Sequence, residues 1–510
     1  MVDSPIPAPA PETRVMTVRA AAVWAMASQY GSFVIQFAVS VIISRFFLAP
    51  DEVGLFSIAL AAAMLVAVLQ DFGLSRYISG LPELTPEEID RASSVAVIFS
   101  FVVTGLIAAL AWPLAWLYDL PALAPLLLII AGSYLFLPLS VVPLALMARQ
   151  MRFSGHFAVN VGGSAANAAV ALTLAWFGFS SFALAWAVLA MGLARGVIAQ
   201  ALAPARCWPL RLDGLRPIVS FGGWTSALYI TGALGSRSPD LVVGKLVGLT
   251  ATGLFSRATS LADQVRMLIA GAIGGVFYPA FARIRDSGQP LGPAYLRVAA
   301  GYSAVVWPGM AGLALAAEPL VLLLYGETWA GVAPLLTWVA LASALLVALP
   351  LVSELPILLG RIKTLLLLNL AETLVSIGLL VAGSLVAGAG GAAASRMGYA
   401  VLFLLIYLRF MHRLVGFDMR AFLLGHAKSA LASLAAIAPL AAAYRWWAGP
   451  SEIGFVALMV SVAAGGLCWL VALALVRHPV LADLRHLAAP PLRLLSPRLG
   501  AWIVPSEVVK

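Results

Sequence analysis

Apolar segments long enough to cross a lipid bilayer follow one another along almost the whole sequence, separated by short polar connections. A helix needs about 20 mostly apolar residues to cross the hydrocarbon core. Hydrophobic residues make up 62% of the 510 residues and charged residues only 10%, so a water-soluble globule could not bury all the apolar side chains. The segments lack the polar–apolar alternation of spanning β-strands, and the sequence therefore predicts an all-α integral membrane protein.

About fourteen transmembrane helices are predicted from the lengths of these segments. Their limits are 18–43, 53–79, 92–118, 122–147, 156–178, 180–203, 218–236, 250–280, 294–316, 332–359, 362–387, 391–413, 427–448 and 453–476. The stretch 317–331 is predicted to be a short outer segment rather than a further span.

The distribution of Lys and Arg predicts the orientation of these spans. With a cytoplasmic N-terminus, 23 of the 31 basic residues fall in inside segments and five, including Arg396, in outside segments. Three more, Arg195, Arg257 and Arg266, lie within predicted spans, and snorkelling to the interface would explain Arg195. Basic residues concentrate on the cytoplasmic side of membrane proteins, so both termini are predicted to be cytoplasmic.

A short internal repeat indicates how the spans are organised. With an offset of 199 residues, the sequence GLFS at 54–57 falls on GLFS at 253–256, each at the first predicted outer hairpin of a six-helix block. Long transporters often arise from such duplicated halves. The expected parts are a disordered tail (1–17), two six-helix lobes (18–203 and 218–415) joined by a basic linker (204–217), a helix pair (427–476) and a basic tail (477–510).

Four motifs in this order resemble the polysaccharide flippase family of the multidrug/oligosaccharidyl-lipid/polysaccharide exporter superfamily. They are SRFFLAPDEVGLFSIA (44–59), VVGKLVGLTATGLFSRA (242–258), FYPAFARIRD (277–286) and LYGETWAGVAPLL (324–336). The first motif departs from the family's usual leucine-glycine-proline-acid run, because Ala49 stands between Leu48 and Pro50.

The resemblance implies two six-helix lobes around a central cavity and alternating access at the bacterial inner membrane. It also implies export of undecaprenyl-pyrophosphate-linked oligosaccharide units for lipopolysaccharide or exopolysaccharide biosynthesis. Expected partners are the lipid-linked oligosaccharide, membrane lipids and a polysaccharide polymerase or export machinery, whereas nucleic acid is not expected.

Polar residues inside predicted spans are the candidates for the transport site, because ionisable groups at bilayer depth usually face protein or water. The eighth predicted span carries Arg257, Asp263, Gln264 and Arg266. Arg266 is expected either to attract a pyrophosphate as a cavity cation, or to form a structural pair with Asp263 that joins two helices.

Further candidates for cargo contact are amides in four other predicted spans. They are Gln29, Gln36, Gln70, Asn160, Asn167 and Asn369. Such amides also form interhelical hydrogen bonds, so contact with the cargo and a structural role both remain open.

The energy source is expected to be an ion gradient. The sequence contains no nucleotide-binding motif of the form GxxxxGK[ST], so no nucleotide cofactor is expected. The carboxyl groups of Asp71, Asp263 and Glu372 are the candidates for ion coupling, and permanent pairing of all three is the alternative. The two cysteines and five histidines show no metal-ligand spacing, so neither a metal nor a cofactor is predicted.

Other classes of membrane protein fit the sequence less well. A multidrug or small-solute antiporter on the same scaffold would favour an apolar or acidic cavity, whereas the polar spans here include arginine. A sugar transporter of the major facilitator type would show twelve spans with basic short loops. A membrane enzyme would carry a large loop with a charged catalytic cluster, and none is evident, so the chain is not predicted to be an enzyme.

Overall fold

The computed structural model describes residues 16–68, 74, 78, 84–211, 213, 216–270 and 274–482, and within these residues every long element is an α-helix. The helices of the first part of the chain are α1 (Val18–Phe46), α2 (Pro50–Ala67), α3 (Pro86–Tyr118), α4 (Leu123–Tyr134), α5 (Pro138–Arg149), α6 (Phe153–Trp176) and α7 (Ser181–Leu202). Those of the remainder are α8 (Arg216–Leu246), α9 (Leu249–Ala270), α10 (Gly274–Asp286), α11 (Leu291–Leu315), α12 (Ala317–Leu324), α13 (Val332–Val347), α14 (Glu354–Leu358), α15 (Ile362–Val415), α16 (Met419–Trp446) and α17 (Phe455–Leu475).

Local signals fix several helix ends. Helix α3 begins with a capping box: the Thr85 side chain accepts a bond from the Glu88 backbone N–H, and the Glu88 carboxylate accepts one from the Thr85 N–H. Helix α3 ends where Asp119 adopts the left-handed conformation. Helix α16 begins where Asp418 accepts bonds from the N–H groups of Arg420 and Ala421.

Within the described residues, nine helices are long and apolar enough to cross a membrane, or ten if the bent pair α4–α5 is one span. This confirms a polytopic membrane protein. The predicted count of fourteen differs from it for identifiable reasons. Residues 122–147 form two helices bent by 41°, and residues 250–280 are divided between α9 and α10. The predicted spans 362–387 and 391–413 correspond to the two halves of the 54-residue α15, which the count of nine includes once.

Helix α15 is broken near its middle. Ala387 and Gly388 have non-helical backbone angles, and Gly388 has a φ of 56°. Only glycine adopts such angles readily, so the break is placed by the sequence. The backbones of the two arms lie close together on either side of the break. A side-chain carbon at Gly383 would overlap the carbonyl oxygen of Gly391, so the glycine permits this close contact. We call residues 362–386 the first arm and 389–415 the second arm.

The chain divides into two compact units. The first contains residues 1–48 and 59–233, and the second contains residues 49–58 and 234–510. In the first unit, α6 packs against α1 and α7, and α7 packs against α4 and α5. A glycine on α7 allows α7 to pack closely against α4, because a side-chain carbon at Gly192 would lie only 2.9 Å from the carbonyl oxygen of Ser133.

The second unit is built around α11, α13 and α15, with α16 and α17 packed as a pair beside α11. One core of this unit contains rings from four helices and from the connection before α16. These are Phe281, Tyr295, Phe403, Tyr407, Phe417 and Phe422. The Tyr295 hydroxyl donates to the carbonyl oxygen of Pro350 (3.3 Å), so this buried polar group is satisfied.

Candidate functional site

Helix α9 carries the first part of the candidate site. The Arg266 guanidinium lies 3.1 Å from the Asp263 carboxylate, and the two side chains are 42% and 56% exposed. Both residues belong to α9 and are three positions apart, so the ion pair lies within one helix, and Asp263 also interacts electrostatically with Arg396 of α15. Arg266 also lies close enough to the Tyr302 hydroxyl to influence it electrostatically.

Arg257 lies nine residues before Arg266 on the same helix and therefore on its opposite face. Its guanidinium carbon is 5.6 Å from the centre of the Trp329 ring, a distance at which a cation is attracted to the ring face. Trp329 is fully buried, and its ring packs near that of Tyr325. The stacking fixes the Arg257 guanidinium in one orientation, so the cation is held in place before any cargo binds.

Gln264 contributes a further polar group on α9, seven residues after Arg257 and therefore on the same face of the helix. Its side-chain nitrogen lies 3.4 Å from the Ser260 hydroxyl, a weak hydrogen bond. Its side-chain oxygen is buried and has no hydrogen-bond partner among the described residues. A buried acceptor without a partner is costly, so this oxygen is a candidate to accept a bond from a cargo hydroxyl.

The two arms of α15 bring the second group of candidates together. The Tyr407 hydroxyl on the second arm donates to the side-chain oxygen of Asn369 on the first arm (2.7 Å). The Glu372 carboxyl, one turn from Asn369, lies beside the hydroxyls of Tyr399 and Tyr407. Its Oε2 atom is buried without a hydrogen-bond partner in the described part of the chain.

Arg396 lies near one residue of each group, Asp263 and Tyr399. The distribution of basic residues had led us to expect Arg396 in an outer segment. It lies in the second arm of α15, eight residues beyond Gly388, or about 12 Å along the helix. Its guanidinium carbon is 5.6 Å from the centre of the Tyr399 ring, and it interacts electrostatically with Asp263 on α9. The sequence could have identified Arg396 as a candidate, because it lies inside the predicted span 391–413 and an ionisable residue within a span usually faces protein or water.

The candidate residues of α9 and α15 therefore include three guanidinium groups and two carboxyl groups. They are Arg257, Arg266 and Arg396, with Asp263 and Glu372. An excess of arginine in a low-dielectric setting favours an anion, and the planar guanidinium matches phosphate oxygens in a bidentate geometry. The arrangement can bind a phosphate or pyrophosphate group and hold hydroxyl-rich cargo beside it.

In the first unit, two of the candidate amides are hydrogen-bonded to serines of a facing helix. The Gln36 side chain on α1 donates to the Ser164 hydroxyl on α6 (3.2 Å), and the Asn160 amide donates to the Ser28 hydroxyl (3.1 Å). These bonds agree with the interhelical alternative for both amides. Asn167 is half-buried on α6 and Gln29 is exposed on α1.

Arg195 on α7 completes this network and does not snorkel. Its guanidinium donates to the Asn160 side-chain oxygen (2.9 Å), and its stem packs on Gly163, where a side-chain carbon would overlap it. A chain of bonds thus runs from Ser28 through Asn160 to Arg195 and ties α1, α6 and α7 together. The Arg195 Nε atom is buried without a hydrogen-bond partner among the described residues.

Two candidates, Gln70 and Asp71, lie outside the described residues. Within the described ranges, no group of three or more His, Cys, Asp and Glu side chains could hold a metal ion. Cys207 and Cys468 are both free thiols.

Comparisons with known sequences identify relatives over most of the chain. The sequence profile of a family described as "Polysaccharide biosynthesis protein" matches residues 42–334. The succinoglycan biosynthesis transport protein ExoT of Rhizobium meliloti is 26% identical over 347 residues, which cover 66% of this chain and 68% of that protein. The lipopolysaccharide biosynthesis protein WzxC of Escherichia coli is 22% identical over 343 residues, covering 67% of this chain and 70% of that protein.

Solved structures share the fold. The lipid II flippase MurJ in an inward closed conformation superposes with a TM-score of 0.71 at 15% identity, covering 89% of this chain and 98% of that one. An inward-facing multidrug resistance transporter of the MATE family superposes with a TM-score of 0.54 at 15% identity, covering 76% and 98%. The predicted all-α transporter architecture is confirmed by these likenesses.

Proposed function

Because the chain belongs to the polysaccharide biosynthesis protein family, we propose that it moves a lipid-linked oligosaccharide from the cytoplasmic to the outer leaflet of the bacterial inner membrane. The observation that carries the proposal is that Asp263 interacts with both Arg266 of α9 and Arg396 of α15, within a transporter fold. A pyrophosphate is the part of such a cargo that needs cations, and its sugars need hydroxyl and amide partners.

The proposed carrier lipid is undecaprenyl pyrophosphate, and the polar residues have distinct roles in recognising it. Arg266 and Arg396 bind the pyrophosphate, and Arg257 attracts it. Gln264 and Asn369 bind sugar hydroxyls. The proposed topology has cytoplasmic termini, two six-helix lobes and an additional C-terminal helix pair, with a polysaccharide polymerase or export machinery receiving the product.

The coupling ion is proposed to be bound by a carboxyl group of the second unit. Glu372 is favoured over Asp263, because Asp263 already pairs with Arg266 whereas the Glu372 Oε2 atom has no partner in the described part of the chain. A buried carboxylate without a cation is costly, so Glu372 would take up a proton or another cation when this site is closed to water.

A multidrug antiporter is the alternative that shares the fold. An antiporter for organic cations needs acidic or apolar walls, and an excess of arginine would repel its substrates. No enzyme activity is proposed, since the relatives are named as transport or biosynthesis proteins.

Deletion of the gene, followed by analysis of lipid-linked saccharides on each face of the inner membrane, tests the proposal. Completed saccharide units should accumulate on the cytoplasmic face, and the wild-type gene should restore export whereas Arg266→Ala should not. Normal export combined with altered tolerance to organic cations would instead favour the antiporter.

A further inference from the structure

Two exposed tryptophans line a cleft between the end of α3 and the start of α4 in the first unit. The cleft has a volume of about 650 Å³, which falls within the range of small-molecule sites in proteins. Its lining includes Trp112, Trp116, Asp119, Pro121, Pro125 and Leu128. These residues belong neither to the proposed transport site nor to the hydrogen-bonded network of α1, α6 and α7.

The two tryptophans present their rings to the surroundings of the protein. Trp112 is 62% exposed and Trp116 is 82% exposed, and their spacing of four residues places both on one face of α3. The face of an indole ring attracts cations electrostatically, and the ring also buries a large apolar area when a ligand covers it. This wall of the cleft therefore suits a ligand that combines a cation with an apolar body.

Asp119 gives the cleft a negative charge. It is exposed, and it ends α3 in the left-handed conformation with a φ of 57°. Among the lining residues that the structure describes, none is Lys, Arg or His. A carboxylate accepts strong, charge-assisted hydrogen bonds from an ammonium N–H. The charge of the cleft thus favours a cation that carries N–H groups and disfavours an anion.

The position of the cleft along α3 matches the headgroup region of a bilayer. The acidic first turn of α3 precedes Ala92, and the helix is apolar enough to cross a membrane. Since a helix rises 1.5 Å per residue, Trp112 lies about 30 Å beyond Ala92, which equals the thickness of the hydrocarbon core. Trp116 and Asp119 lie about 6 Å and about 10 Å further along, at the depth of the lipid headgroups.

We propose that this cleft binds one phospholipid whose headgroup ends in a primary ammonium, as in phosphatidylethanolamine. The ammonium group contacts the Trp116 ring and donates to the Asp119 carboxylate, and the acyl chains pass along Trp112 and Leu128. A choline headgroup has no N–H to donate, and Asp119 repels a phosphoglycerol headgroup, which carries only negative charge. The bound lipid holds the hairpin of α3 and α4 at the membrane surface.

Native mass spectrometry of the purified protein with lipids of identical acyl chains tests the proposal. Four headgroups are compared: ethanolamine, its N-monomethyl and N,N-dimethyl derivatives, and choline. Each added methyl group replaces one ammonium N–H and leaves the charge unchanged. Kd should rise along this series, by at least about fivefold between ethanolamine and choline, and phosphatidylglycerol should bind no more tightly than the choline lipid.

Two variants and a control assign the preference to the cleft. Asp119→Asn removes the charge and keeps the helix end, because asparagine also adopts the left-handed conformation. It should bring the Kd values of the ethanolamine and choline lipids to within about twofold of each other. Trp112→Ala combined with Trp116→Ala should weaken binding of the ethanolamine lipid at least about fivefold. Trp176→Ala is the matched control, since Trp176 is 76% exposed at the end of α6 and lies outside the lining, and it should bind as the wild type does.

Three results would overturn the proposal. They are a wild-type protein without preference for the ethanolamine lipid, an Asp119→Asn variant that retains the preference, and a Trp176→Ala control that loses as much binding as the double variant. Tightest binding of the choline lipid would show that the aromatic rings select the headgroup without Asp119, which also contradicts the proposal. Unfolding temperatures near the wild-type value check that each variant is folded. No cargo is needed, so the outcome is independent of the proposed transport function.

Discussion

The two units use their membrane-embedded polar groups in different ways. In the first unit, Arg195 donates to the amide of Asn160, which in turn donates to the hydroxyl of Ser28. In the second unit, Arg396 lies over the Tyr399 ring and interacts with the Asp263 carboxylate, and the Tyr399 hydroxyl lies beside Glu372. The first network contains a single cation, Arg195, and joins helices through amide and hydroxyl groups, whereas the second contains several cations and carboxyl groups.

This difference suggests that the repeats have diverged in role. A hydrogen bond between neutral groups, such as that of Asn160 to Ser28, contributes modestly to stability, on average about 0.6 kcal/mol in a membrane protein. A group of arginines and carboxylates at bilayer depth is costly to insert, at about 2.5–3.5 kcal/mol for each charge. Such a cost is accepted where charge is needed for cargo or ions, so the second unit is the proposed transport site.

The largest expected effect comes from exchanging the two buried arginines for glutamine. Arg396→Gln should reduce transport at least about tenfold, equivalent to about 1.4 kcal/mol of lost binding, because it removes a cation next to Asp263 and Tyr399. Arg195→Gln should instead lower the unfolding temperature and preserve transport per folded molecule. Reversal of the two phenotypes in a cellular export assay would place the transport site in the first unit.

The second-largest effect on transport is expected from a substitution at Glu372. The substitution Glu372→Gln should slow transport and remove its dependence on pH, because an amide cannot exchange a proton. Glu327→Gln is the control, since Glu327 is an exposed carboxylate in the short 3₁₀ helix 327–329. An unchanged rate and pH profile for Glu372→Gln in reconstituted vesicles would rule out coupling through this group.

Asn160→Ala should act on stability rather than on transport. It removes the bonds to Ser28 and Arg195 and leaves the guanidinium without that acceptor, at an expected cost of about 1–3 kcal/mol. The exposed Gln29→Ala serves as the control and should leave the unfolding temperature unchanged. If thermal unfolding in detergent does not separate the two variants, the network in the first unit is not structural.

A smaller effect is expected at a buried histidine near the end of the second unit. His478 is 3% exposed, its Nδ1 accepts the Val480 N–H (3.2 Å), and its Nε2 lies 3.1 Å from the Ser429 hydroxyl. Burial lowers the pKa of His478, and nearby Lys428 lowers it further. The folded protein therefore resists protonation at this position.

The unfolded chain takes up a proton at this histidine below its ordinary pKa of about 6.5. Stability should therefore fall as the pH decreases from about 6.5 towards the lowered value in the folded protein, and it should not change above that range. His478→Gln should reduce this acid-dependent loss in thermal unfolding experiments. A loss of the same size in the variant would exclude His478 as its source.

The smallest effect is expected at the exposed ion pair of the first unit. Arg91 donates to Asp213 (2.9 Å), and this bond holds the pKa of Asp213 below its usual range. Any stabilisation is present above the ordinary carboxyl pKa and is lost as the pH falls through the lowered value. Because the pair is solvent-exposed, Asp213→Asn should change neither transport nor the unfolding temperature measurably at neutral pH.

The sequence predicted the membrane class and much of the helix pattern, because apolar length and Gly388 act locally. It also identified the amides of the first unit as candidates for interhelical hydrogen bonds, although not that Gln36 and Asn160 would bind serines of a facing helix. The grouping of Arg396 with Asp263 depends on how α9 and α15 pack, which no local pattern encodes. The repeat was visible as GLFS, but only the structure shows that its two copies touch.

Direct binding of a polyprenyl-pyrophosphate-linked oligosaccharide to the purified protein tests the proposed transport site most directly. Native mass spectrometry of the wild type, Arg396→Gln, Arg266→Gln and Arg195→Gln would compare both units in one measurement. We expect Kd to rise at least about tenfold for each variant of the second unit and to stay near the wild-type value for Arg195→Gln. Equal affinities for all four proteins would contradict cargo binding at the charged group of the second unit.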